Sequence, residues 1–136
     1  MKSRRLAREM AVQCLYLMDV CRLDVLQAAE MVFTDQISAE TRLLCRRWTQ
    51  GVFNQKEFID ALLDQQAENW AMERMAAIDR NILRLAAYEI LNEIETPVPV
   101  VIDEAIELAK TYSTQDSGKF VNGILDKIKE KRPPSN

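Results

Sequence analysis

Apolar residues recur every three to four positions along most of the chain, and this spacing constrains the fold more than any other feature. In the first segment the apolar set is Leu6, Ala7, Met10, Ala11, Cys14, Leu17, Met18 and Cys21. At about 100° per residue, such positions lie on one face of an α-helix. No stretch of useful length alternates apolar and polar residues, and the chain holds only 3 glycines and 4 prolines among 136 residues. The sequence therefore predicts an all-α fold.

Capping residues place the starts of the later helices. Asp24 with Gln27 predicts a capping box at the second helix, and Ser38 predicts the start of a third. Asp79 is predicted as the N-cap of a strongly apolar helix. The polar stretch 64–69 is the weakest part of the helical pattern. We therefore expect two small helical bundles packed as one compact domain over residues 1–136, with an N-terminal half of about 1–66 and a C-terminal half of about 67–132.

Proline and glycine positions divide the second half. Residues 96–99 are expected to be extended, since each proline disfavours the α conformation in the residue before it. Residues 113–118 predict a turn that precedes the last helix. Gly123 lies inside that last helix, where glycine costs about 0.5–1 kcal/mol relative to alanine. We expect another helix to pack closely against it.

The residue inventory disfavours an enzyme. The chain has no histidine, which excludes Ser-His-Asp and Cys-His systems and most catalytic zinc sites. Asp103, Glu104 and Glu107 could form half of a metal site, but first-turn acids that pair with the helix dipole or with Lys110 are the favoured interpretation. The glycines are isolated and form no phosphate-binding loop. We expect no catalytic residues, no metal and no cofactor.

Two further features bear on cellular location. The cysteines Cys14, Cys21 and Cys45 are odd in number, form no CxxC motif and lie in apolar helical contexts, so we expect buried free thiols. No apolar run approaches the roughly 18–20 residues of a membrane-spanning helix. No secretory signal follows the basic start. These features predict a cytoplasmic protein without a membrane partner.

The net charge of −3 hides two basic ends. Residues 1–8 hold Lys2, Arg4, Arg5 and Arg8 without an acidic residue, and residues 119–132 hold five basic residues against two acidic ones. If the fold joins these ends, they form a patch that attracts phosphate while the acidic remainder repels it. On charge alone, solubilising tails remain the simpler interpretation.

The turn at 114–120 places Lys119 beside Phe120 at a helix start, where free backbone N–H groups favour anions. Cations and stacking aromatics are the groups that bind single-stranded RNA. Helical periodicity alone makes Phe120 a core residue, and Asp116 with Ser117 a simple cap. Both interpretations of Phe120 stay open at this point.

Seven segments together are typical of one known family: RRLARE at 4–9, QCLY at 13–16, WAMER at 70–74, IDRNILRLA at 78–86, YE at 88–89, DEAIELAK at 103–110 and DSGKFVNGILDK at 116–127. In these segments the chain resembles the NusB family of transcription antitermination factors, and the resemblance runs nearly end to end, most weakly across residues 22–66. The sequence departs from the family where Leu6 stands at a common arginine position and Asp103 at a usual asparagine position.

The resemblance implies an all-α RNA-binding factor that regulates ribosomal RNA transcription. Members of the family bind the single-stranded boxA element of ribosomal RNA leaders together with NusE, a small-subunit ribosomal protein. The pair joins an antitermination complex on RNA polymerase. The implied RNA-binding residues are Lys2, Arg4, Arg5, Arg8, Asp116, Lys119 and Phe120, and the implied protein-partner residues are Tyr16, Asp79 and Arg84.

With the resemblance, we expect Phe120 to be at least partly exposed and to contact a base. The alternative function is an all-α protein-interaction adaptor without an RNA role, which predicts no salt-dependent RNA binding.

Overall fold

A computed structural model describes residues 2–67 and 72–134, without the side chains of Lys2, Ser3 and Glu73. Within those residues the chain forms α-helices and short 3-10 turns, and it contains no strand. The helices are α1 (Lys2–Val20), α2 (Val25–Val32), α3 (Ala39–Asn54), α4 (Lys56–Gln66), α5 (Ala77–Asn92), α6 (Val98–Tyr112) and α7 (Gln115–Ile128). The 3-10 turns are Met72–Arg74 and Lys129–Lys131. The all-α prediction is confirmed.

Helix α5 forms the centre of the packing. It contacts α1, α3, α4, α6 and α7, and every residue from 81 to 90 is buried. A helix that is buried on all sides needs apolar residues around its circumference, and α5 supplies them with Ile82, Leu83 and Ile90, which are at most 1% exposed. The core is one cluster that draws side chains from α1 to α7.

The predicted caps of α2 and α3 are confirmed. The Asp24 side chain accepts a hydrogen bond from the Gln27 backbone N–H, and the Gln27 side chain accepts one from the Asp24 backbone N–H. Ser38 accepts from the Thr41 backbone. The N-cap prediction for Asp79 is wrong, because α5 begins at Ala77 and Asp79 lies in its first turn. Its carboxylate instead accepts a 3.0 Å hydrogen bond from the Ser117 hydroxyl, which joins α5 to α7.

The structure also shifts three predicted boundaries. The turn predicted at 113–118 is shorter, because Thr114 caps α7 and the helix begins at Gln115. The helix that starts after Ser38 ends at Asn54, and α4 begins at Lys56 after a break at Gln55. Pro97 is extended as expected, but Val98 and Pro99 already belong to α6. Proline fits the first turn of a helix because the missing N–H has no intrahelical partner there.

The packing prediction for Gly123 is wrong. A Cβ at this position would meet no atom within 4 Å, and the residue is exposed. Gly51 has the close approach instead, since a Cβ there would overlap the ring of Tyr88. The spacing of glycines along a helix does not show which face meets a neighbour, and only the packing of α3 on α5 reveals the tight site.

The cysteines divide into two classes. Cys14 and Cys45 are buried free thiols, as expected. Cys21 is exposed, so the prediction of burial is wrong for it. It follows the last residue of α1, where the chain leaves the helix through Arg22 with a φ of 60°. In the part of the chain that the structure describes, no helix is long and apolar enough to cross a membrane.

Candidate nucleic-acid interface

The arginines of the first turns of α1 occupy three different environments. Arg5 is the exposed one, with 67% of its side chain accessible. Its Nε and Nη2 atoms donate to the two carboxylate oxygens of Glu104 on α6, at 3.0 and 2.8 Å. Hydrogen bonding and charge from Arg5 hold the pKa of Glu104 below its ordinary value, although burial opposes the shift. Arg5 is therefore accessible to a ligand but already paired.

Arg8 is buried, with only 4% of the residue exposed. Its Nε and Nη2 atoms donate to the Glu89 carboxylate at 2.9–3.1 Å, and its guanidinium lies 5.3 Å from the ring centre of Trp48. Burial raises the pKa of Glu89, and the hydrogen bonds from Arg8 counteract that rise. Arg8 thus fastens α1 to α5, and its predicted contact with RNA would require this ion pair to open.

Arg4 lies between these extremes. It is half-buried, its Nη1 donates to the Thr96 hydroxyl at 3.4 Å, and its guanidinium lies 5.8 Å from the ring centre of Trp48. Lys2 belongs to α1, but its side chain lies outside the described residues. Arg4 and Arg5 are therefore the described basic residues of α1 that a phosphate could reach.

The start of α7 forms the second part of the interface. Thr114 caps the helix by accepting a hydrogen bond from the Ser117 backbone at 3.1 Å. Asp116 and Lys119 are exposed, and Phe120 is half-buried against the core. The expected partial exposure of Phe120 is confirmed, whereas its contact with a base stays a prediction. The first two turns of α7 therefore offer an exposed cation and a half-exposed aromatic ring close to a helix N-terminus, which favours anions.

Helix α6 connects the two basic regions. Glu104 in its second turn pairs with Arg5, and the Cγ atom of Lys110 lies 3.5 Å from the position of a Cβ on Gly118. Six residues of helix span about 9 Å. The start of α1 and the start of α7 therefore lie along the same helix, as the charge pattern suggested without being able to show it.

Arg132, which lies beyond the far end of α7, does not join this surface. Arg132 donates to the backbone carbonyls that end α5 and follow it, those of Glu89, Ile90, Glu93, Ile94 and Thr96. A cation at a helix C-terminus satisfies free carbonyls and favours the helix dipole. The basic segment 119–132 is thus divided, with Lys119 at the candidate interface and Arg132 in a structural role.

The groove between α1 and α6 is mixed in charge. Arg5 and Lys110 line it together with Glu9, Asp103 and Glu107. Among the described side chains, no group of three cysteine or acidic residues is arranged to hold a metal ion. Glu104 pairs with arginine, and Glu107 lies 4.0 Å from Lys110. Glu104 and Glu107 therefore pair with cationic side chains of the protein.

The three predicted protein-partner residues do not share one open surface. Tyr16 is 36% exposed, and it lines a shallow groove with Met31 and Tyr112. Asp79 and Arg84 are buried, at 8% and 5% exposure. The contact of all three residues with a protein stays a prediction, and only Tyr16 is open to one in this structure.

Arg84 belongs to a partly buried polar network around Asp19. It donates to Asp19 at 3.0 Å and to Asp60 at 2.8 and 2.9 Å. Burial alone would raise the pKa of Asp19, but hydrogen bonds from Arg80 and Asn81 and the charge of Arg84 bring it below the ordinary value. This network holds α1, α4 and α5 together.

Sequence reasoning missed the roles of Glu104 and Glu89. Both residues contact arginines of α1 that lie 99 and 81 positions away in the chain. Local spacing assigns Glu104 to its own helix dipole and leaves Glu89 without a role. No local signal could have found either pair.

Three comparisons place the chain among known proteins. The sequence model of the NusB family matches residues 5–130. The transcription antitermination protein NusB of Elusimicrobium minutum is 44% identical over 136 residues, which cover 97% of this chain and 96% of the relative. The structure of T. maritima NusB has a TM-score of 0.91 at 39% identity and covers 96% of this chain and 93% of that one.

The fold is also shared with one chain in a solved complex of antitermination factors NusB and NusE with double-stranded RNA. The TM-score is 0.86 at 23% identity, with 96% of this chain and 98% of that chain covered.

Proposed function

The chain belongs to the NusB family, and from that premise we propose that it is an RNA-binding transcription antitermination factor that acts in the cytoplasm by binding and not by catalysis. The observation that carries the proposal is the match over nearly the whole length to a relative named as a transcription antitermination protein. The chain covers 96% of that relative, so the comparison concerns a protein of the same extent.

The proposed ligand is the single-stranded boxA element of a ribosomal RNA leader, bound together with NusE. A complex of NusB and NusE with RNA exists for a protein of the same fold, which supports this pairing of partners. Binding to RNA and NusE would bring the chain into the antitermination complex on RNA polymerase.

The proposed RNA surface follows α6 from Arg5 to the start of α7. Arg5 and Lys119 supply exposed cations, and the N–H groups of α7 favour a phosphate. Phe120 supplies a half-exposed ring on which a base stacks. Lys2, Arg4 and Asp116 complete the proposed surface at its edges. Tyr16 marks the proposed protein-partner surface.

The test measures binding of a fluorescent boxA RNA oligonucleotide by anisotropy, with and without NusE. Phe120→Leu keeps an apolar side chain in the half-buried site but removes the stacking ring. It should weaken binding by about 1–3 kcal/mol, the value of one base–aromatic stack. Phe58→Leu is the matched control, because Phe58 is an exposed aromatic residue on α4, a helix that holds none of the proposed RNA-binding residues.

A charge variant tests the same surface independently. Lys119→Gln should reduce the slope of log affinity against log salt by about 0.7, the value for one phosphate contact on a single strand. Lys129→Gln is its control, since Lys129 lies beyond the far end of α7 and pairs with Asp126. If NusE binds while boxA RNA does not bind at any salt concentration, the chain is a protein adaptor and the RNA-binding proposal is wrong.

A further inference from the structure

We propose that Glu104 competes with RNA phosphate for Arg5, so that this carboxylate lowers the affinity of the chain for RNA. The inference rests on the proposed function, and it adds an affinity-determining residue that has no contact with RNA of its own.

The geometry of the Arg5–Glu104 pair resembles that of an arginine–phosphate contact. Two guanidinium nitrogens of Arg5 donate to the two carboxylate oxygens, at 3.0 and 2.8 Å. Arginine binds phosphate in the same two-pronged way. A phosphate and the Glu104 carboxylate therefore cannot occupy the Nε–Nη2 edge of the guanidinium together, and RNA must displace Glu104 to bind Arg5 at that edge.

The exchange is feasible because Arg5 is exposed to solvent and Glu104 is largely buried. The side chain of Arg5 is 67% exposed, whereas that of Glu104 is 14% exposed and lies against α1. When Arg5 turns outward, Glu104 still has a second cation, since the Nη1 atom of Arg8 lies 3.5 Å from its carboxylate. Neither charge is left buried without a partner after the exchange.

A purely structural role for the pair is the weaker explanation. The buried Arg8–Glu89 pair and the Arg4–Thr96 hydrogen bond already fasten the start of α1. An exposed ion pair adds little to that attachment. What the pair does change is the charge that a ligand meets, because it neutralises the most exposed of the described arginines in the first turns of α1.

Glu107 provides a matched control on the same helix. It lies three residues beyond Glu104, lines the same groove and carries the same charge. Its side chain is 65% exposed, and one of its carboxylate oxygens lies 4.0 Å from the Lys110 ammonium group. Removing its charge changes the general electrostatics of the groove without releasing Arg5 from a hydrogen-bonded partner.

The experiment compares the affinities of Glu104→Gln and Glu107→Gln for the boxA RNA oligonucleotide in the presence of NusE. Glu104→Gln should bind RNA about two- to fivefold more tightly, because the free energy of an exposed ion pair corresponds to a change in affinity of about that size. Glu107→Gln should gain less than about 1.5-fold, since salt screens a distant exposed charge. In an Arg5→Ala background, the gain from Glu104→Gln should fall to that of Glu107→Gln. Thermal melts confirm that each variant is folded.

Equal gains from the two glutamine variants, or a gain that persists without Arg5, would overturn the inference. Glu104→Asp is a second variant that keeps the charge and withdraws the carboxylate by one methylene group. It should also tighten binding, and an unchanged affinity would contradict direct competition. If Arg5→Ala weakens RNA binding but neither Glu104 variant strengthens it, the inference alone fails. If wild type with NusE does not bind the RNA, the proposed function fails first.

Discussion

Arg8→Met is expected to destabilise the fold strongly and to affect RNA binding only through that loss. Arg8 is 4% exposed and Glu89 1%, and three hydrogen bonds of 2.9–3.1 Å join them. Removing one partner of a buried ion pair costs about 3–5 kcal/mol, because the other charge stays buried without compensation. The total free energy of unfolding of a small domain is about 5–15 kcal/mol, so the variant should lose a large part of its stability.

The assay is urea unfolding followed by far-UV circular dichroism and by tryptophan fluorescence. Trp48 is fully buried and lies next to Arg8, so its emission reports on this part of the core. Arg5→Met is the matched control, since Arg5 lies on the same helix but is exposed. Its unfolding midpoint should stay close to that of the wild type.

A double variant separates the ion pair from general packing. Arg8→Met with Glu89→Leu replaces both buried charges by apolar side chains, so no charge is left without a partner. It should be more stable than Arg8→Met alone. The reasoning is refuted if Arg8→Met unfolds at the wild-type urea concentration and only its RNA affinity falls, because Arg8 would then behave as a surface phosphate contact.

Three further predictions follow from the packing and the polar network. Gly123→Ala should raise the free energy of unfolding by about 0.5–1 kcal/mol, whereas Gly51→Ala should lower it by about 1–3 kcal/mol through overpacking. Urea unfolding of the two variants checks this, and equal effects would contradict the contacts described for each glycine. Phe120→Ala should cost less than the about 3–5 kcal/mol of a fully buried phenylalanine, and a larger loss in thermal melts would assign Phe120 to the core. Because the pKa of Asp19 is lower in the folded protein than its ordinary value, the unfolded chain binds this proton first, and stability should fall as pH drops from about 4 through the folded pKa. Asp19→Asn should flatten that part of the pH–stability curve, and an unchanged slope would contradict the shift.

Much of the fold follows from interactions within a few residues. A helix bonds each residue to its fourth neighbour, so apolar spacing and the caps at Asp24 and Ser38 determined the class and two helix starts. The same local rules were less accurate at two helix boundaries. They did not predict the break at Gln55 between α3 and α4. They also placed Pro99 in an extended segment, although it lies in the first turn of α6. The NusB resemblance depends on residue types in consecutive sequence segments, so it too could be seen without a structure.

The tertiary structure alone decided what each charged residue does. Arg5 and Arg8 lie three positions apart on one helix, yet one is exposed and the other is buried against Glu89, 81 residues away. Arg132 belongs to a basic segment by sequence, but it caps the end of α5 across 42 residues. Gly123 was predicted to pack against another helix but has no neighbour near its Cα hydrogen, whereas Gly51 packs closely against Tyr88. Charge and burial act through space, and the partner that satisfies or excludes a side chain comes from a distant helix, so local spacing shows which residues form a helix but not what its faces meet.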